Sequence, residues 1–183
     1  DDIIIDIGAN TGDLHIYLSS INQNLNYFGF EPAKIEFICL NSNINDKGES
    51  INFAAGNRNE EILFYYKPET GDSSIVKMNN YQESYLIKTV RLDDWILEKK
   101  FRGIKLLKLE AEGFEPEIIQ GLVNSLKIIE YISADLGPER GENYENTVPD
   151  VINELFKNNF VIVSFNDERN IFLMKNKNFE SST

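Results

Sequence analysis

Cysteine and histidine are nearly missing from this 183-residue chain, which holds one of each, Cys39 and His15. A lone thiol forms no internal disulfide. Cys39 lies in an apolar helical stretch and is expected in the core. The chain is therefore read as belonging to a reducing, cytoplasmic setting. Basic residues are short too: 18 Lys and Arg stand against 30 Asp and Glu, a formal charge of −12. That argues against a nucleic-acid backbone or an anionic membrane as the main partner, while a local basic patch stays open. No apolar run approaches the ~20 residues that cross a bilayer, and none resembles a signal peptide, so no membrane insertion is expected. Linkers, repeats and low-complexity blocks are lacking. A single domain over residues 1–183 is expected, with 42% hydrophobic residues to fill its core. The first apolar run begins at Ile3 with almost nothing ahead of it, and an N-terminal lead-in segment is expected to precede it. Composition does not set the oligomeric state.

What is present concentrates at the start. Ile3-Ile4-Ile5 reads as a buried strand that ends in Asp6-Ile7-Gly8, followed by Asn10, Gly12 and Asp13 and then a helical stretch. A glycine-bearing turn between a parallel strand and a helix lets a ligand approach the backbone closely. A turn built for pyrophosphate should avoid acidic side chains. Asp6 and Asp13 instead suit a ligand with ammonium, hydroxyl and sulfonium groups, such as S-adenosylmethionine. A second apolar run, Tyr27-Phe28-Gly29-Phe30, ends in Glu31-Pro32. An acidic residue ~20 positions beyond the glycine turn is where an α/β nucleotide fold accepts the ribose hydroxyls. The spacing of Gly8, Asn10 and Gly12 departs from the G-x-G-x-x-G pattern of nicotinamide domains. A dinucleotide-dependent oxidoreductase or epimerase is the weaker alternative, and a non-catalytic binding module of the same fold is another.

Strand-like runs alternate with helical periods, the α/β signature. Strands are expected at about 2–7, 26–31, 51–55, 62–66, 87–91, 104–109 and 128–134, with helices near 12–22, 33–44, from 93, from 114 and near 147–158. A polar loop from Lys67 to Asn80 centres on Gly71-Asp72-Ser73-Ser74. Phe160–Phe165 and Ile171–Met174 read as a closing β-hairpin. A mostly parallel sheet finished by an antiparallel hairpin fits the Rossmann-like sheet of class I methyltransferases.

With these segments in place, the chain resembles the FkbM-type methyltransferase family. The resemblance lies in Ile4-Ile-Asp-Ile-Gly-Ala-Asn-Thr-Gly12, Phe28-Gly-Phe-Glu-Pro32, Val90-Arg-Leu-Asp-Asp-Trp95, Leu107-Lys-Leu-Glu-Ala-Glu-Gly-Phe-Glu115 with Gly121, and the Ser73-Ser74 pair. It implies a class I fold, S-adenosylmethionine as cofactor, and O-methylation of a saccharide or related metabolite. The family usually carries Asp where this chain has Glu110, one methylene longer. Ser133–Gly141 looks like a subfamily feature.

Ligands of open α/β sheets bind outside the carboxyl ends of the strands. Asp6, Glu31, Glu110, Glu112 and Asp135 each follow an apolar strand. Gly8, Asn10 and Gly12 are assigned to the turn around the methionine part of the cofactor, with Asp6 and Asp13 supplying acceptors or holding that turn. Glu31, followed by Pro32, takes the ribose. Asn57 faces the adenine edge or serves as a turn residue. Ser73 and Ser74 close over the cofactor or remain a surface loop. Glu112 is the first candidate for base, with capping of the helix from Phe114 as its alternative, and Glu110 the second. The pair could hold a divalent ion, but with one histidine no metal is expected. His15 is a further candidate base, though a surface position is the plainer expectation. Asp135 and Arg140 line the acceptor pocket, where Arg140 pairs with an acidic sugar or phosphate, or with a surface carboxylate. Tyr65, Tyr66 and Trp95 are expected in the core rather than as sugar platforms.

Overall fold

The computed structural model describes residues 2–22, 24–44, 47–68 and 73–179. The expected Gly71-Asp72 part of the loop centre lies outside them. The β-branched run at the start forms β1 (Asp2–Ile7), and Gly12 then opens α1 (Asp13–Ile21). After them come β2 (Leu25–Phe30), α2 (Lys34–Asn43) and β3 (Gly48–Ile51). β1, β2 and β3 pair in parallel. The chain next builds β4 (Ala54–Gly56), β5 (Glu60–Tyr66), β6 (Glu83–Arg91) and α3 (Leu92–Lys99). It returns to the main sheet with β7 (Ile104–Leu109), α4 (Glu115–Gln120) and β8 (Ile129–Asp135). It closes with α5 (Val148–Lys157), β9 (Phe160–Asn166) and β10 (Ile171–Asn176).

The main sheet has seven strands in the order β3-β2-β1-β7-β8-β10-β9. β10 runs antiparallel to both β8 and β9, so the closing hairpin forms as expected. The order reverses between β1 and β7, which pair in parallel with Asp6 opposite Lys108. A crevice opens at such a reversal, at the carboxyl ends of the strands.

Both faces of the sheet are covered, and alternation sorts β1 between them. Ile5 and Ile7 join the larger core with Phe30, Leu107, Ile132 and Trp95. Ile4 faces the other way, with Leu25, Tyr27 and Leu40 beneath α1 and α2. Trp95 and Tyr66 are buried as expected, whereas Tyr65, on the opposite face of its strand, is half-buried against Tyr81. Cys39, expected in the core, is exposed. The inner face of α2 is set by Phe37, Leu40 and Ile44, at helical spacing, and Cys39 is one step off it.

The strand expected at 51–55 is a corner between two sheets. Ile51 ends β3, and Ala54 and Ala55 belong to a three-stranded sheet, β4-β6-β5. Asn52 holds the corner by donating from Nδ2 to the carbonyls of Glu31 at 2.8 Å and Pro32 at 3.3 Å.

Candidate active site

The turn after β1 is fixed by contact with the chain end of β7. Gly8 has φ +74°, and a Cβ placed on it would lie 1.9 Å from the Glu110 carbonyl oxygen. Only glycine fits that approach. Asn10 also takes a left-handed conformation, φ 48°, which turns its N–H toward β2. That N–H donates to Glu31 Oε2 at 2.9 Å, and the Ala33 N–H donates to Oε1 at 2.8 Å. Each carboxylate oxygen thus has one backbone donor and one remaining acceptor direction. Glu31 is buried, and burial pushes its carboxyl up to about 7 against the two N–H donors.

Glu31 lines a narrow cleft of about 130 Å³ together with Gly8, Asn10, Pro32, Ser73, Ser74, Glu110 and Glu112. Its apolar wall is Ile7, Phe30, Ala33, Ala54, Ala55, Phe64, Phe114 and Ile118. A second, wider cavity of about 620 Å³ shares Asn10, Glu110 and Glu112 with it and adds Asp135. The expected residues at 8, 10, 31, 32, 73, 74, 110, 112 and 135 are therefore brought together at the strand ends.

Glu112 sits on a tightly held turn. Its φ is 50°, left-handed for a residue with a side chain. The Ser74 hydroxyl donates to the Glu112 carbonyl at 2.7 Å. Glu115, fully buried, accepts from the N–H groups of Ala111 at 2.8 Å and Gly113 at 3.1 Å. Burial raises the Glu115 carboxyl, opposed by the N–H groups around it. The role of holding the backbone ahead of α4, considered above for Glu112, is thus performed by Glu115.

Six expected residues lie elsewhere. Asp6 is buried and lines neither cavity. It accepts from Tyr27 Oη at 2.5 Å and pairs with Lys108 Nζ at 3.1 Å. Burial raises its carboxyl, and Lys108 and Tyr27 work against that. His15 is neither at the surface nor at the site. It is buried under α1, its ring 4.7 Å from that of Tyr27, and burial lowers its imidazole. Gly12 packs on Leu40, away from the cavities. Asp13 is an exposed residue in the first turn of α1, accepting from Thr11 Oγ1 at 3.2 Å. Asn57 lies past the end of β4, where its amide donates to Gln120 Oε1 at 3.1 Å, and Ala54 and Ala55 form the cleft wall instead. Arg140 is committed to Glu117, at 2.6 and 2.9 Å, and to the Gly113 carbonyl. It clamps the loop after β8 onto the start of α4 and does not line the acceptor side.

Lys108, which no sequence motif singles out, ties the site together. Its Nζ reaches Asp6, the Gly8 carbonyl at 3.0 Å and Glu110 Oε2 at 2.8 Å. Burial works to lower this ammonium, but the Asp6 and Glu110 carboxylates outweigh it and raise it. The signal was available, since residues two apart on a strand share a face and Lys108 precedes Glu110 by two. Among the described residues no group of three or more His, Cys, Asp or Glu is placed to hold a metal ion, and no helix is long and apolar enough to cross a membrane.

A buried carboxylate with two open acceptor directions fits a ribose diol, and the apolar wall beside it fits a purine. The fold agrees with that fit. Mycoplasma capricolum TrmK, solved with S-adenosylhomocysteine, superposes with a TM-score of 0.55 at 11% identity, over 100% of this chain and 65% of that one. Streptococcus pneumoniae Sp1610, a putative tRNA (m1A22) methyltransferase solved with S-adenosyl-L-methionine, gives 0.53 at 13%, over 100% and 69%. The sheet is thus the Rossmann-like sheet of the S-adenosylmethionine-dependent class I methyltransferases.

The model of the methyltransferase FkbM domain matches residues 6–162. The chain belongs to the FkbM methyltransferase family. Two relatives are the 2-O-methyltransferase NoeI of Sinorhizobium fredii, 26% identical, and the hexuronic acid methyltransferase AglP of Haloferax volcanii, 24% identical. The matches cover 81% and 74% of this chain, which spans 68% and 56% of those proteins. The nicotinamide alternative falls with the family assignment.

Proposed function

We propose that this chain methylates a hydroxyl group of a saccharide or related metabolite. The observation that carries the proposal is the pair of cavities meeting at Asn10, Glu110 and Glu112. One is furnished for a nucleoside and the other is wide and polar. The relatives' names, a 2-O-methyltransferase and a hexuronic acid methyltransferase, support a saccharide acceptor. The formal charge of −12 favours a small acceptor over RNA.

The bound cofactor supplies an electrophilic methyl group on a sulfonium. Glu31 holds the ribose hydroxyls, and the turn at Gly8 and Asn10 lies along the methionine part. Ser73 and Ser74 close the cleft beside it. Glu112 takes the proton of the acceptor hydroxyl, a step that contributes ~100-fold or more. Glu110, held by Lys108, orients the acceptor, and positioning supplies much of the remaining rate.

S-adenosylmethionine and S-adenosylhomocysteine are expected to bind in the low- to mid-micromolar range, about −7 to −8 kcal/mol. Calorimetry with each ligand checks this, and release of S-adenosylhomocysteine across a saccharide panel checks the reaction. A folded protein that gives no heat with either ligand overturns the cofactor site.

Glu31→Ala is expected to weaken S-adenosylhomocysteine by about 1.5–3 kcal/mol, because a charged acceptor facing two hydroxyls is lost. Burial sets the pH dependence. Hydroxyl donors select the carboxylate form, and that form dominates only above about 7. Affinity should therefore rise about tenfold between pH 6 and 8, and Glu31→Gln should flatten that rise. The effect on folding has the opposite sense. A carboxyl raised from 4.5 to about 7 stabilises the fold most below the lower value and loses that contribution as pH rises through the upper one. Affinity that Glu31→Ala leaves unchanged counts against Glu31 as the ribose ligand.

A further inference from the structure

Among the described residues, five carboxylates line the wider cavity, contributed by four separate parts of the chain. Glu110 and Glu112 follow β7, Asp135 ends β8, Glu139 lies in the loop beyond, and Glu168 sits in the hairpin turn. Among the described residues, Lys67 and Arg169 are the two cations of that lining. Arg169 is 67% exposed and lies 3.5 Å from Asp135, so part of its charge is already answered. Lys108, behind the wall, is committed to Asp6 and Glu110. Arg140, the cation the sequence offered to an acidic sugar, is bonded to Glu117.

We propose that this cavity selects its acceptor by charge: it takes a saccharide that bears an amino group or no charge, and turns away one that bears a carboxylate. The proposal rests on the reading of this cavity as the acceptor site. A uronate entering it gives up water beside carboxylates that repel it. Hydroxyl and ammonium groups bring donors to a wall of acceptors, and an ammonium also offsets its charge. Burial, with Glu110 next, raises the Asp135 carboxyl, against the pull of Arg169 and Lys108.

The test uses the whole chain with saturating S-adenosylmethionine. The acceptors are matched methyl glycosides of the hexose, the 2-amino-hexose and the hexuronic acid, in the gluco, galacto and manno series. S-adenosylhomocysteine release gives kcat/KM. The expected order is amino sugar, then neutral sugar, then uronate, with the uronate roughly 30-fold or more below its neutral counterpart. Raising the salt to 1 M shortens the screening length to about 3 Å and should narrow that gap. Glu139→Gln with Glu168→Gln should narrow it about threefold to tenfold, leaving S-adenosylhomocysteine affinity unchanged. A uronate used as well as its neutral counterpart overturns the charge selection while upholding the saccharide reading. If no sugar of any charge is methylated by protein that binds the cofactor, the saccharide reading falls and this proposal falls with it.

Discussion

Glu112→Gln is expected to lower turnover ~100- to 10,000-fold, the range for loss of a general base, while S-adenosylhomocysteine affinity stays within about twofold. Glutamine keeps the shape and a hydrogen-bonding head but takes no proton. The backbone around position 112 is held by other side chains: Ser74 donates to its carbonyl and Glu115 accepts from the N–H groups on either side. Single-turnover rates with saturating cofactor and an acceptor from the saccharide panel separate chemistry from binding. A loss of about 1 kcal/mol in stability with full turnover is the signature of a helix cap. That result would move the base to Glu110.

Lys108→Met should cost about 3–5 kcal/mol of stability, the range for a buried charge deprived of its partner. At this chain length that corresponds to a fall in Tm of roughly 6–20 °C. The cause is Asp6, which is 1% exposed and would keep Tyr27 as a donor but lose its cation. Asp6→Asn combined with Lys108→Met should recover most of the loss. The sign with pH follows from Asp6, whose carboxyl burial already raises. Removing Lys108 raises it further, so the deficit of Lys108→Met shrinks as pH falls and Asp6 takes up a proton. Melting curves at pH 5 and pH 8 check this. A deficit that is equal at both, or untouched by Asp6→Asn, counts against the pairing.

The strand ends were legible in the sequence because an apolar run followed by a carboxylate marks both where a strand stops and what it offers to a ligand. Glu31, Glu110, Glu112 and Asp135 were found that way, and they line the two cavities. The side of the sheet was less legible. Ile3-Ile4-Ile5 is apolar at every position because both faces are covered, so nothing in the run shows that Asp6 turns toward Tyr27. His15 was hidden as well, because its neighbour Tyr27 is contributed by β2 while His15 sits on α1. For Asn57 and Arg140 the sequence left two readings open, and the structure gives Asn57 a bend and Arg140 an ion pair with a carboxylate, whose identity was not legible. Their partners, Gln120 and Glu117, are contributed by α4, far along the chain. Lys108 was within reach, since its partner Glu110 is two residues away, but the pairing with Asp6 needed the β1–β7 register. The corner at Asn52 was concealed by apolar residues on both sides of it.

The closure of Gly8 against the end of β7 has a consequence for synthesis of the chain. Lys108 Nζ and the Gly8 carbonyl are 100 residues apart in sequence, and ribosomes add roughly 5–20 residues per second. About 5–20 s therefore pass between the appearance of one half of the turn and that of the other. Through that interval β1, β2 and β3 can associate, but the edge of β1 that β7 will occupy stays open. The cofactor cleft stays incomplete in the nascent amino-terminal half, because the turn at Glu110, Ala111 and Glu112 and the residues Phe114 and Ile118 that complete its lining emerge last. Full ligand stabilisation of this protein therefore waits for β7 and the turn after it, and chaperone demand should be greatest before β7 docks.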